Sequence, residues 1–156
     1  MNSMERIAAL FREAVEAENA RDLERAKKKL DEIMGMTKNE RPEVYFEACF
    51  RLADILLQED NYRGAVKCAI RAVRAAPNDE LYRLGLRMLG DILFMMKENG
   101  RLAELGKDME VTLSLIKDRE ELHRFVLTII RLARGEDVEG TFESKEMREI
   151  IESLKG

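Results

Sequence analysis

Residues Phe46–Asp79, FEACFRLADILLQEDNYRGAVKCAIRAVRAAPND, hold two apolar runs, divided by the polar break Glu59–Asn61 and closed by Pro77. In the first run Cys49, Leu52, Ala53 and Leu56 recur at spacings of three and four, the period of one helix face. Ala65, Ala69 and Ala72 do the same in the second run, and Ala65 follows Ala53 by twelve residues. A small residue on each arm of a helical hairpin lets the two axes approach to the short end of the roughly 8–10 Å range. Pro77 stops the second arm, and Asn78 suits the N-cap of the next helix.

The same arrangement extends in both directions. Leu86-x2-Leu89-Gly90-x2-Leu93 repeats the first arm, with Leu102 and Ala103 at and beside the matching offset. Ala14 and Ala26 are again twelve apart, on stripes formed by Ile7, Leu10, Phe11 and Val15 and by Leu23, Leu30, Ile33 and Met34. Breaks at Asn19–Asp22, Gly35–Pro42, Glu98–Gly100 and Lys117–Asp118 divide the chain into about eight helices in four hairpins, over 3–40, 41–79, 80–117 and 118–156. Asp118 and Glu121 have the spacing of a capping box, and Gly135 stands where a C-terminal cap glycine belongs. Val44–Leu57 and Leu81–Met96 are apolar on nearly all sides, so each is expected to lie between other helices. The polar linker Gly135–Glu143 is long enough for the last helix, from Ser144 to Leu154, to turn back on the array as an internal ligand.

The pattern of large residue, Leu-small, later alanines and closing proline resembles the tetratricopeptide repeat (TPR). The resemblance is clearest over Phe46–Asp79 and covers about two thirds of the chain. Cys49 and Leu86 replace the usual aromatic residue, and Glu13 stands where Leu52 stands in the second hairpin. Ala14, Ala53 and Gly90 are 39 and 37 residues apart, against the family's usual ~34. The resemblance implies an all-α single domain: an α-solenoid, a right-handed superhelix of three TPR-like antiparallel helical hairpins, the first degenerate, with 118–156 as capping helices. Another hairpin array or a closed bundle would also carry this periodicity.

The resemblance further implies a groove, lined by the first helix of each hairpin, that binds another protein or peptide. Helical spacing carries that groove onto Phe11, Val15 and Glu18, then Glu47, Phe50, Asp54 and Leu57, then Leu84, Arg87, Asp91 and Phe94. Apolar and acidic residues alternate there. Phe11, Phe50, Leu57 and Phe94 would anchor a partner segment, while Glu47, Asp54 and Asp91 would favour a basic or apolar one. Val15, Asp54 and Asp91 occupy the places where a carboxylate-gripping subfamily carries Asn, Lys and Arg, which argues against that specificity here. A scaffold or adaptor is the leading expectation. A homodimer using the same apolar surface is one alternative, and a nucleic-acid or regulatory binder using the basic helix 62–76 is another.

Composition narrows the field further. The chain has 156 residues, a net charge of -4, two cysteines and one histidine. His123 alone, with Cys49 and Cys68, cannot assemble a multi-histidine or four-ligand metal centre, so no metal and no cofactor are expected. No nucleophile stands beside a base, and no glycine-rich phosphate loop is present, so the expectation is not an enzyme. Glu5, Arg6, Arg12 and Glu13 interrupt every early apolar run, and no apolar stretch reaches the roughly 20 residues of a bilayer span. A cytoplasmic protein with reduced, buried thiols is expected. A single glutamine amid abundant Glu, Lys and Arg is a thermophile-like bias. Arg63, Lys67, Arg71 and Arg74 share a helix face, but the negative net charge and the lack of interleaved aromatics argue for a solvated face over nucleic acid. Met34, Met36, Met88, Met95, Met96 and Met109 are expected to fill an irregular core.

Overall fold

Three interhelical turns are built alike in the computed structural model, which describes residues 2–156. After helix α1 (Ser3–Asn19), Arg21 takes φ 62°; its N–H donates to Glu18 O at 3.0 Å, and the Asp22 N–H donates to Ala17 O at 2.8 Å. Asp60, with φ 61°, does the same after α3 (Pro42–Gln58), where Asp60 donates to Leu57 O and Asn61 to Leu56 O. Gly100, with φ 68°, repeats it after α5 (Asp79–Glu98), where Arg101 donates to Met96 O at 2.7 Å. Each is a Schellman cap, in which one left-handed residue satisfies carbonyls that the helix end would leave unpaired.

Beyond each cap, one side chain decides whether a new helix starts. Asp22 accepts from the Arg25 N–H at 3.2 Å and so starts α2 (Leu23–Thr37); Asn61 accepts from the Gly64 N–H at 3.0 Å and starts α4 (Tyr62–Ala75). The third turn carries Arg101, which has no acceptor to cap a new helix. The chain there forms only a 3-10 segment, Leu102–Gly106, then a break at Asp108 (φ 64°) and the six-residue α6 (Glu110–Leu115). The third hairpin expected over 80–117 therefore lacks a continuous second arm.

The chain then forms α7 (Glu120–Ala133) and α8 (Lys145–Lys155), giving eight α-helices and no strand among the described residues. The expected capping box at Asp118 is not formed. Arg119 is the N-cap residue, Asp118 pairs with Arg74 at 2.7 Å, and Glu121 accepts instead from the Glu143 N–H at 2.7 Å. Gly135 does close α7, at φ 80°, with the Glu136 N–H on Arg131 O.

From α1 to α5 each helix packs on the next. One continuous core results, with Leu10, Leu30, Ile33, Ile55, Ile70, Leu86, Leu89 and Leu93 each under 2% exposed. Removing such a side chain from water stabilises the fold by about 2 kcal/mol. Ala26, Ala53, Ala65 and Ala69 are fully buried, as close helix approach requires. α3 lies between α2 and α4, as its all-round apolarity predicts. α5 is packed by α4 and α8 but leaves Leu84, Phe94 and Met95 at 37, 46 and 41% exposure. Cys49 and Cys68 are free, buried thiols; burial pushes the first up to about 12 and the second up to about 11.

Helix α8 does not form a hairpin with α7. It lies along α5 and runs in the same direction: Arg83 meets Glu146, Gly90 meets Ile150, and the Lys97 ammonium donates to Ser153 O at 2.8 Å. The linker that returns it is held down. Phe142 is 4% exposed and edge-to-face with Phe125 at 5.7 Å, with the Arg124 guanidinium 4.7 Å from its ring centre, and Arg124 donates to Thr141 O at 2.7 Å.

Candidate interaction cleft between α5 and α8

α8 is amphipathic, with Met147, Ile150, Ile151 and Leu154 on one buried stripe. Ser144 caps it by accepting from the Met147 N–H at 3.2 Å. The stripe covers the Gly90 side of α5. A Cβ at position 90 would stand 2.8 Å from Ile150 Cγ1, so the glycine is what permits the contact. Beside this seam remains an open cleft of about 450 Å³, whose α5 wall includes Leu84, Arg87, Met88, Asp91 and Phe94 and whose α8 wall includes Glu146, Glu149 and Ser153.

Four of the groove positions expected from the sequence, Leu84, Arg87, Asp91 and Phe94, are thus brought together. The others are not in this cleft. Phe50, expected as an anchor, is 6% exposed and stacks edge-on with Phe46 at 5.0 Å, so it belongs to the core and presents nothing to a partner. Leu57 is half-buried against the core. Phe11 is half-buried with the Arg51 guanidinium 5.6 Å from its ring centre, and Glu47 holds that guanidinium at 3.3 Å. Asp54 is exposed, and burial of part of its surroundings raises its carboxyl against the pull of Arg51. Val15 is 39% exposed and Glu18 half-buried on α1.

The α8 wall supplies site residues that the groove transfer misses, above all Glu146, Glu149 and Ile150. Their signal in the sequence was the amphipathic stripe of the last helix, which needs an apolar neighbour. Glu146 is 8% exposed, and its carboxylate takes Arg83 at 3.0 Å and Arg87 at 3.6 Å. Burial pushes this carboxyl up, but its own backbone N–H and then the guanidinium of Arg83 outweigh that and hold it below its ordinary 4.5. A carboxyl depressed on folding contributes stability that is present above the unfolded value and is lost as pH falls through the folded one. Hydrogen-exchange protection of α8 is therefore expected to hold above pH 4.5 and to weaken in more acidic solution. Glu146→Gln should lower protection severalfold at neutral pH and flatten that acid dependence; an α8 equally protected in both proteins would contradict the assignment.

Two of the four cations on the basic face of α4 are engaged within the molecule. Arg63 donates to Glu104 O at 2.9 Å and meets Asp108 at 3.7 Å, and Arg74 is bound to Asp118. On α2, Lys27 pairs with Glu24 and Glu59, and Lys29 with Glu13. Among the described residues no three His, Cys, Asp or Glu side chains are placed to hold a metal ion, and no helix is long and apolar enough to cross a membrane. The chain matches no protein-family model, no curated protein and no solved structure.

Proposed function

We propose that this chain is a non-catalytic interaction module, a solenoid of TPR-like hairpins that acts as scaffold or adaptor and takes a basic, apolar segment of a partner protein. The hairpin-array reading draws on the three like-built turns at Arg21, Asp60 and Gly100 and on the buried Ala53 and Ala65 of the second hairpin. The observation that carries the binding reading is the α5–α8 cleft, where exposed Leu84 and Phe94 flank Asp91 and Glu149. Arg87 is the cleft's one cation and is drawn to Glu146, and Glu149 meets Lys145 at 3.8 Å, so the carboxylate left without an ion-pair partner among the described residues is Asp91. Apolar contact with Phe94 and Leu84 supplies affinity, and the carboxylates select a partner bearing Lys or Arg.

Asp91→Lys and Phe94→Ala test this reading. Both positions are exposed, so the fold should survive either change. Fluorescence anisotropy with a labelled amphipathic peptide of Leu and Lys is expected to show tighter binding than with its Leu/Glu counterpart. Each substitution should weaken the basic peptide by about tenfold. Affinity unchanged from the wild type in both variants would show that the peptide does not bind in this cleft, and a variant-sensitive change in sedimentation mass would transfer the surface to a second copy of the chain.

A further inference from the structure

A second cleft, about 570 Å³ in volume, opens between α2, α4, the start of α3 and α6, and shares no residue with the α5–α8 cleft. Its charge is the reverse. Lys38 and Arg71 are exposed in it and have no ion-pair partner among the described residues, and Arg74 borders it while bound to Asp118. The Asn39 amide and Tyr45 complete the polar side, and Asp31 is the single carboxylate in the lining. In a chain of net charge -4 this is a local positive field, toward which the rest of the surface would steer an anion.

The cleft also has an apolar rim. Leu115 lines it at 40% exposure, and Val111, four residues earlier on the same face of α6, is 69% exposed. α6 lies alongside α4 and runs in the same direction, since Arg63 meets Asp108 and Arg74 meets Asp118. The apolar strip therefore continues past the cleft mouth beside the Lys67–Arg71 face. A small anion would fill the cleft and leave Val111 bare, whereas an extended chain would cover both.

We propose that this face binds a short acidic peptide segment, with a carboxylate gripped by Arg71 and Lys38 and apolar side chains laid over Leu115 and Val111. A guanidinium donates paired, charge-assisted hydrogen bonds to a carboxylate, a geometry that a lone ammonium cannot provide. Acidic-peptide binding here is independent of the adaptor function proposed for the α5–α8 cleft, because the two clefts face partners of opposite charge.

The test uses the full chain and a labelled peptide of Leu, Ala and Glu, with a counterpart that carries glutamine for every glutamate. Arg71→Glu is expected to weaken the acidic peptide by about tenfold. Arg12→Glu, an equal charge change at an exposed position on α1, should alter it by less than about twofold. Asp91→Lys should leave binding at this cleft in place, which separates a failure here from a failure of the α5–α8 reading. Circular dichroism checks that each variant keeps its helices. The proposal is overturned if Arg12→Glu costs as much as Arg71→Glu, if the glutamine peptide binds equally well, or if Asp91→Lys abolishes binding. Unchanged affinity in Val111→Ser would also overturn it, in favour of a small anion confined to the cleft.

Discussion

Phe125→Ala is expected to destabilise the protein by about 4 kcal/mol, lowering the midpoint of thermal unfolding by on the order of 10 °C. Phe125 has no exposed surface and is among the largest fully buried side chains of the core. It also holds the linker: Phe142 meets its edge at 5.7 Å with the planes at 88°. The aromatic pair adds roughly 1 kcal/mol beyond burial. With the ring gone, Phe142 loses one wall and the segment that returns α8 to α5 loses its anchor. Denaturant titration measures the total, and hydrogen exchange should show α8 losing protection beyond the global loss. A cost under about 1.5 kcal/mol would show that the site repacks and that the polar contacts of Arg124, Glu121 and Arg148 hold the linker without the aromatic pair.

Gly90→Leu should release α8 from α5, at a net local cost of about 2 kcal/mol. The signs oppose each other. Leucine gains up to roughly 0.8 kcal/mol over glycine inside a helix. Against that, even the first added carbon would stand 2.8 and 2.9 Å from Ile150 Cγ1 and Cδ1. Overpacking costs about 1–3 kcal/mol and more where a whole helix must move. Met147, Ile150, Ile151 and Leu154 would then become exposed, and the α5–α8 cleft would cease to exist. Ile150→Ala in the same chain makes room, so the double variant should recover part of the docking; the two changes couple because they meet. Amide protection of α8 reads the effect, and protection unchanged in Gly90→Leu would mean that Ile150 turns aside at little cost.

Where sequence and structure agree, the reason is local. Asp22, Asn61, Asn78 and Ser144 each cap a helix through their own side chain, and an acceptor two or three residues from the amide it serves is visible in any sequence. Ala53 and Ala65 read as a close approach because one spacing places them opposite each other. Where the two part, longer-range contacts intervene. The Leu102–Ile116 stretch has helical periodicity, yet Arg101 cannot cap it and its neighbours hold it in pieces: Arg63 takes Glu104 O and Arg134 takes Gly106 O. Asp118 had a capping partner in reach and is bound instead to Arg74, 44 residues away. The repeat resemblance, carried over by helical spacing, puts Phe50 in a groove, but its ring is buried against Phe46.

The sequence by itself determined the helices, most of their ends and the pairing of α1 with α2 and of α3 with α4, because capping bonds and apolar periodicity act within a turn or two of the chain. It also determined that α8 needed an apolar neighbour. Only the tertiary structure decided which one: α8 lies along α5 because Gly90 leaves room for Ile150 and because Glu146 meets Arg83 and Arg87. The two clefts arise from that docking and from the broken second arm of the third hairpin. They are gaps between elements distant in sequence, and their shape comes from close packing, which no local pattern encodes.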